Sequence, residues 1–225
     1  MFRIVTLPCL MLLTACGGAG TPMTQAPVGL DAQIAAGDRL VSRLDDVAAT
    51  QFSAMPASGS ATFTGVASLF IDPVFETDAD DIVVLGDLTT TANFSSGVMR
   101  GRVDNLHGAT GFTASGYREI PVDGVLQIGG RESVIGNDID DNRTNRPNDF
   151  YADYQGDITL PDGTYAVEGT LNGQFLGTRT SDGVFPIRGL LGGGEGVASR
   201  GVEGTAGFTE FPADLDIIAE APGRP

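Results

Sequence analysis

The chain of 225 residues has no tryptophan, no lysine, one histidine and two cysteines, and each scarcity removes chemistry. All 13 basic residues are arginines, so there is no Walker-type lysine, no Schiff-base lysine and no Ser-Lys pair. His107 is the single histidine. It rules out a multi-histidine zinc or copper site and would have to serve any Ser-His-Asp arrangement by itself. No Gly-x-Ser-x-Gly elbow occurs either. Positive charge is scarce overall: 29 Asp plus Glu leave a formal net charge of −16. Nucleic acid is therefore excluded as a partner, because affinity for it rests on basic side chains neutralising phosphates. Nothing approaches the run of about 20 apolar residues that a membrane-spanning helix needs.

What is plentiful points to β structure. With 32 Gly, 12 Pro and 41% hydrophobic residues, the chain is too apolar for wholesale disorder and too rich in turn formers for a helical bundle. Its length suits one core domain with tails.

The chain opens with Arg3, an apolar run over 4–13 broken only by Thr6 and Pro8, and small residues up to Cys16. That is the pattern of a secretion signal. Leu13-Thr14-Ala15-Cys16 resembles the lipobox of bacterial lipoproteins. The resemblance implies that 1–15 is a signal peptide, that the Cys16 thiol is acylated, and that 225 − 15 = 210 residues remain. Cys9 leaves with the signal, so no disulfide is expected despite an oxidising compartment. Several acyl chains on one cysteine make a firm anchor, since each buried CH₂ contributes about 0.8 kcal/mol. Gly17 stands where inner-membrane lipoproteins typically carry Asp, which by the same resemblance implies the outer membrane.

Residues 16–30 read as a flexible tether of Gly, Thr and Pro. Over 31–57 we expect a short amphipathic helix and a linker, with Asp31 as N-cap. Ile34, Leu40, Val41, Leu44, Val47 and Ala48 form its apolar stripe, which should pack on the domain behind it. From 58 the period becomes two. Ala61, Phe63, Gly65, Ala67 and Leu69 share one face, as do Ile82, Val84, Leu88, Ala92 and Phe94. Tyr165, Val167, Gly169, Leu171, Gly173 and Phe175 make a third such set. These are half-buried strands, and inward glycines let a strand bend or pack closely. Asp-Gly pairs at 123–124, 162–163 and 182–183, with Ser95-Ser96-Gly97, mark hairpins. The fold expected is all-β: an antiparallel up-and-down barrel of about eight strands over 58–212, followed by a tail at 213–225. A β-sandwich is the alternative.

The segments "GSATFTGVASLF" (59–70), "TTANFSSGVMRGRVDNL" (90–106), "YAVEGTLNGQFLG" (165–177) and "VFPIRGLLGGGEGVASRG" (184–201) resemble barrel strands of the transferrin-binding protein B family of surface lipoproteins. In that family an opening Gly-x-Ala-x-Tyr-x-Gly strand precedes an Ala-x-Phe hairpin, with a Gly-x-Phe-x-Gly strand and a glycine-bracketed aromatic later. Here Phe63 replaces the family's usual Tyr, and "GLLGGGEG" lacks its Phe-Tyr-Gly core. A single barrel is present where the family's namesake has two lobes. The resemblance implies the barrel and the surface-lipoprotein habit. It transfers no transferrin contact.

Four stretches were weighed for chemistry. His107, in "DNLHGATG", reads as an exposed loop histidine. In "NDIDDNRTNRPNDF" (137–150), Asp138, Asp140, Asn142 and Asp149 fall on positions one, three, five and twelve of a calcium frame. Arg143 sits where glycine is required, so a solvated polar loop is the stronger reading. "GLLGGGEG" (189–196) reads as a flexible turn or barrel corner, lacking the Lys of a phosphate cradle. Asp80-Asp81 has no partner carboxylate that sequence can place across a cleft.

No catalytic, cofactor or metal residue is assigned, and Cys16 is the one site residue, for lipidation. The expected function is non-enzymatic: an outer-membrane lipoprotein, at the cell surface in preference to the periplasmic face. Its barrel would present loops such as 71–81 or 137–150 to a host or extracellular protein or a small ligand, iron- or haem-related in one version. The alternative is a structural envelope lipoprotein without a specific ligand.

Overall fold

The structure is a computed structural model that describes residues 29–51, 54–73, 80–136, 148–177 and 187–222. One helix, α1 (Leu30–Leu44), precedes β1 (Ser60–Ile71), β2 (Ile82–Asn93), β3 (Val98–Thr113), β4 (Gly116–Ile120), β5 (Asp123–Ile135), β6 (Asp149–Leu160), β7 (Gly163–Leu176), β8 (Gly189–Arg200) and β9 (Thr209–Glu220). Every pairing is antiparallel, and β1 pairs with both β2 and β9, which closes the sheet. β4 and β5 form one bent wall, because β3 pairs with β4 near Gly108 and with β5 near Arg102. The result is a closed eight-stranded up-and-down barrel, and closure removes the free edges that an open sheet would expose.

The barrel ends later than expected. Residues 213–220, assigned to a tail by pattern, belong to β9 and make the closing seam with β1 from Ile71↔Ala213 to Thr64↔Glu220. Asp214 and Asp216 alternate with Ala213, Leu215 and Ile217, and that polar-apolar beat is itself a half-buried strand. Two turn assignments also change. Asp123-Gly124 opens β5 after the bend, with no hairpin there. At 162–163 a hairpin does occur, but its two central residues are Pro161 and Asp162, since Leu160 pairs with Gly163. Pro at i+1 with Gly at i+3 is type I chemistry. Ser95-Ser96-Gly97 joins β2 to β3, and 182–183 lies outside the described residues.

Alternation sends the expected faces inward. Phe63, Ala67, Leu69, Leu88, Ala92, Leu171 and Phe175 are at most 1% exposed. The outward face of β6 and β7 carries Asp157, Glu168, Thr170 and Asn172. A barrel that is apolar inside and polar outside is the inverse of a membrane-spanning one. The interior is filled by side chains: Phe63, Phe94 and Phe150 pack around Phe175 at ring distances of 5.8, 5.6 and 5.4 Å.

Glycine makes that filling fit. A Cβ on Gly173 would lie 2.2 Å from Phe150 Cζ, and one on Gly169 or Gly196 would lie 2.5 or 2.4 Å from the Tyr154 hydroxyl. Rings from β6 therefore occupy notches in β7 and β8. "GLLGGGEG", expected as a turn or corner, is instead most of β8. Its bareness serves packing, since at interior density no further atom fits there.

α1 lies on the outer wall, running from the end of the barrel near β4 toward the end where β7 stops. Gly29 precedes it as N-cap without a side-chain bond. Asp31 sits in the first turn instead, where a carboxylate suits the positive helix end and accepts the Tyr117 hydroxyl. Leu30 packs with Leu85 and Ala109, and Leu44 and Val47 pack with Leu176. The stripe is only partly used: Ile34 and Val41 remain 38% and 51% exposed. Arg43 holds the helix end through paired bonds of 2.8 and 2.9 Å to Glu220.

Candidate functional site

Strand direction divides the connections between the two ends. The β1–β2, β3–β4, β6–β7 and β8–β9 links share one end, here called upper. The β2–β3, β5–β6 and β7–β8 links share the lower end. Of the two stretches expected to carry binding, the described ends of 71–81 are at the upper end and residues 148–150 are at the lower end. Of these, 74–79 and 137–147 lie outside the described residues, as do Asp138, Asp140 and Asn142 of the calcium frame. Asp149 begins β6. Cys16 and the whole lipobox also lie outside the described residues.

The lower end is stoppered. The chain leaving α1 pairs with the end of β7 at Ala49↔Leu176, and the Thr50 amide donates to the Phe175 carbonyl at 2.8 Å. Met55 and Phe94 then pack onto the core.

The upper end holds an open cleft of about 490 Å³ with an apolar floor of Ile82, Ile120, Leu160 and Phe211. On its rim the Tyr165 hydroxyl donates to Asp162 Oδ2 at 2.7 Å, and Arg200 Nη1 donates to the same oxygen and to Tyr165 Oη at 3.1 Å. The Arg200 guanidinium also lies 5.4 Å from the centre of the Tyr165 ring, a cation–π distance. Burial, then the Asp162 hydrogen bond, push the Tyr165 phenol up to about 12. It stays a neutral donor at physiological pH. Arg118 and Asp80 line the cleft as well, and neither has a hydrogen-bond or ion-pair partner among the described residues. Pro161-Asp162 places the carboxylate by turn chemistry, whereas Arg200 and Tyr165 meet it through the β7–β8 register, Tyr165↔Arg200. Sequence reading recognised Asp162 as a turn residue and Tyr165 as core, and missed Arg200 and Arg118. The one available signal was an arginine at a strand end in a chain with so few cations.

A second recess runs along α1, between the helix and the outer faces of β1, β8 and β9, with a volume of about 440 Å³. Gln33, fully buried, reaches the wall from the helix: its Nε2 donates to the Asn105 carbonyl at 2.7 Å, and Asn105 Nδ2 donates to Asp87 at 2.9 Å. Asn105 adopts φ 51 at a bulge where the β2–β3 register slips by one. The slip brings both Val103 and Leu106 inward.

His107 is not in a loop. It sits in β3 opposite Leu85, half-buried, and its Nε2 is buried without a partner. "DNLHGATG" reads as a turn because of its glycines, yet Gly108 is needed there for space, its Cβ being 2.5 Å from Val122. Among the described residues no group of three or more His, Cys, Asp or Glu is placed to hold a metal ion. No described helix is long and apolar enough to cross a membrane.

No family model matches the chain, and no curated protein matches it.

Proposed function

We propose that this chain is an outer-membrane lipoprotein, held by an acylated Cys16, whose barrel is a rigid binding scaffold and not an enzyme. The observation that carries the reading is an open cleft at the upper end of a barrel whose interior is lined with packed apolar side chains. A ligand would be met in that cleft, the concave feature of this end. Its volume falls within the range of about 300–1,000 Å³ typical of small-molecule sites. Apolar floor and rim charges of both signs suit a small molecule with an apolar body and polar groups at its edge.

The tether bears on where that mouth works. Twelve residues separate Cys16 from Gly29, and α1 begins beside the upper end, with Asp31 against Tyr117. Fully extended, such a tether spans at most about 45 Å, so the mouth samples molecules near the membrane surface. The segments that resemble the transferrin-binding protein B family lie largely along β1, β2–β3, β7 and β8, and support kinship with those barrel lipoproteins at the level of fold. Display at the cell surface, facing a host or extracellular ligand, follows from the same kinship.

Two measurements test this. Mass spectrometry of the native protein should find Cys16 acylated, and protease added to intact cells should remove the barrel. An unmodified Cys16 defeats the anchor, and full protection defeats surface display. Purified full-length protein should retain a ligand from extracellular fluid, or from extracts containing iron, haem or haemoglobin, and Arg118→Ala should lose it. Nothing retained at micromolar protein would leave the structural envelope role.

A further inference from the structure

We infer that the recess along α1 is a docking groove for a basic amphipathic segment of a partner protein, which lays apolar side chains on its floor and a Lys or Arg beside Asp216. The site is separate from the upper cleft and stands whether or not that cleft binds anything.

The apolar half of the argument is exposure. Of the five large apolar side chains left exposed among the described residues, Ile34, Val41 and Leu191 all surround this groove. Ile34 and Val41 share a helix stripe with Leu40 and Leu44, which are buried, so the apolar face of α1 extends past the barrel wall that covers it. Single exposed apolar residues need no explanation, but a contiguous set marks an interaction surface. Glycine keeps the groove open: Gly37 on the helix has no atom within 4 Å of where its Cβ would be.

The polar half is one-sided. Asp38 and Asp216 line the groove with Gln33, and all three offer oxygen acceptors. Gln33 Oε1 is buried with no hydrogen-bond partner. Asp216, flanked in register by Ser68 and Gly193, has no hydrogen-bond or ion-pair partner among the described residues. Its carboxylate lies over Gly193, where a Cβ would come within 2.6 Å of Oδ1. Loss of water, then the Asp214 charge, raise its pKa above the ordinary carboxylate value, which is the mark of a carboxylate short of a cation. Among the described residues no cation lines the groove, and Arg43 is already paired with Glu220.

Charge chooses the occupant. A second copy would bring net −16 and no lysine against an acidic groove, and residues 17–28 contain no basic side chain. From Gln33 to Val41 the helix flank is about 12 Å long at 1.5 Å per residue, room for about two turns of a partner helix. Such grooves are read by apolar anchors at helical spacing with a charge at the edge.

The probe is a synthetic helical peptide of leucine and lysine, with a leucine–glutamate peptide of the same pattern as control, titrated against fluorescently observed full-length protein. The lysine peptide should bind, and the glutamate peptide should not. Leu191→Glu and Val41→Glu, both at exposed positions that leave folding intact, should each weaken binding about tenfold, and Asp216→Asn several-fold. Asp157→Asn, on the opposite wall, should leave it unchanged. Equal binding to all variants would mean diffuse attraction to an acidic protein and overturns the proposal. So does the absence of binding, or self-association of the chain that Leu191→Glu abolishes.

Discussion

The two ends of the barrel are built from the same strands and closed in opposite ways. At the lower end the chain leaving α1 pairs with the end of β7, and Met55 and Phe94 pack onto the core that holds Phe175. At the upper end the β6–β7 turn brings Asp162, the end of β8 brings Arg200 and β4 brings Arg118 around an apolar floor, and the described residues leave a cleft there. A barrel end is sealed by chain that crosses it with something apolar to bury. Short polar turns that finish at the rim leave a cleft. The lower end is therefore the source of stability and the upper end the place where function costs little to install.

Breaking the lower end should cost most. Phe175 touches three other rings and is fully buried, so Phe175→Ala should destabilise by about 3–5 kcal/mol. That corresponds to a fall of about 10 °C or more in Tm for a chain of this size, measured by thermal circular dichroism. Next comes the notch that fits the ring of Phe150. Gly173→Val places atoms 2.2 Å from Phe150 Cζ and 2.4 Å from the Leu191 carbonyl, a cost of about 2–3 kcal/mol for overpacking. Adding Phe150→Leu should return part of that loss, because only the ring clash is relieved. If the double variant were less stable than the sum of the singles, ring and notch would not be partners.

The upper end should break softly. Arg200→Ala removes a half-exposed ion pair and should cost about 1 kcal/mol or less. A drop as large as that of Phe175→Ala would erase the distinction between the ends. Asp162→Asn should lower the Tyr165 phenol from about 12 toward its ordinary 10 without reaching it, because burial is the larger cause and remains. Residue-specific NMR titration reads this directly. Tyr154, also pushed up to about 12 by burial, should not move. Both phenols are raised in the folded chain, so folding binds their protons more tightly. Their contribution is complete below pH 10 and is lost as pH rises from 10 to about 12. Tyr154→Phe and Tyr165→Phe should flatten that alkaline decline. The smallest effect belongs to the wall: Asp216 has a raised pKa, so its ionised form opposes folding once pH rises above 3.8. Asp216→Asn should gain a few tenths of a kcal/mol at neutral pH, seen as a slight rise in Tm.

Most of the architecture was legible because a half-buried strand writes its own orientation into an alternating pattern. Phe63, Leu88 and Phe175 could be placed inside before any coordinate was known. Glycine was the hardest residue to read. In "GLLGGGEG" and "DNLHGATG" it looked like turn chemistry, whereas in the barrel Gly108 and Gly196 are bare so that Val122 and Tyr154 can occupy the space. A glycine needed for φ and one needed for volume are identical on paper. The last strand escaped notice because Pro212 interrupts it and four of its residues, Glu210, Asp214, Asp216 and Glu220, are acidic. Of the candidate sites, Asp162 could be seen as a turn residue, but nothing local foretold that Arg200 would meet it across β7 and β8.

From its residues alone this chain determined an all-β body, the inward faces of its strands, two of its hairpins and the amphipathic helix before them. Each of these is a local property: a two-residue period, a turn former, or a 3.6-residue stripe. Tertiary structure alone decided that β9 meets β1, that β1 ends and β6 begins at opposite ends of the barrel, and that α1 leaves Ile34 and Val41 uncovered beside Asp216. Those outcomes depend on strand direction, register and closure. They are set by which distant surfaces come within contact distance, and no window of neighbouring residues contains that information.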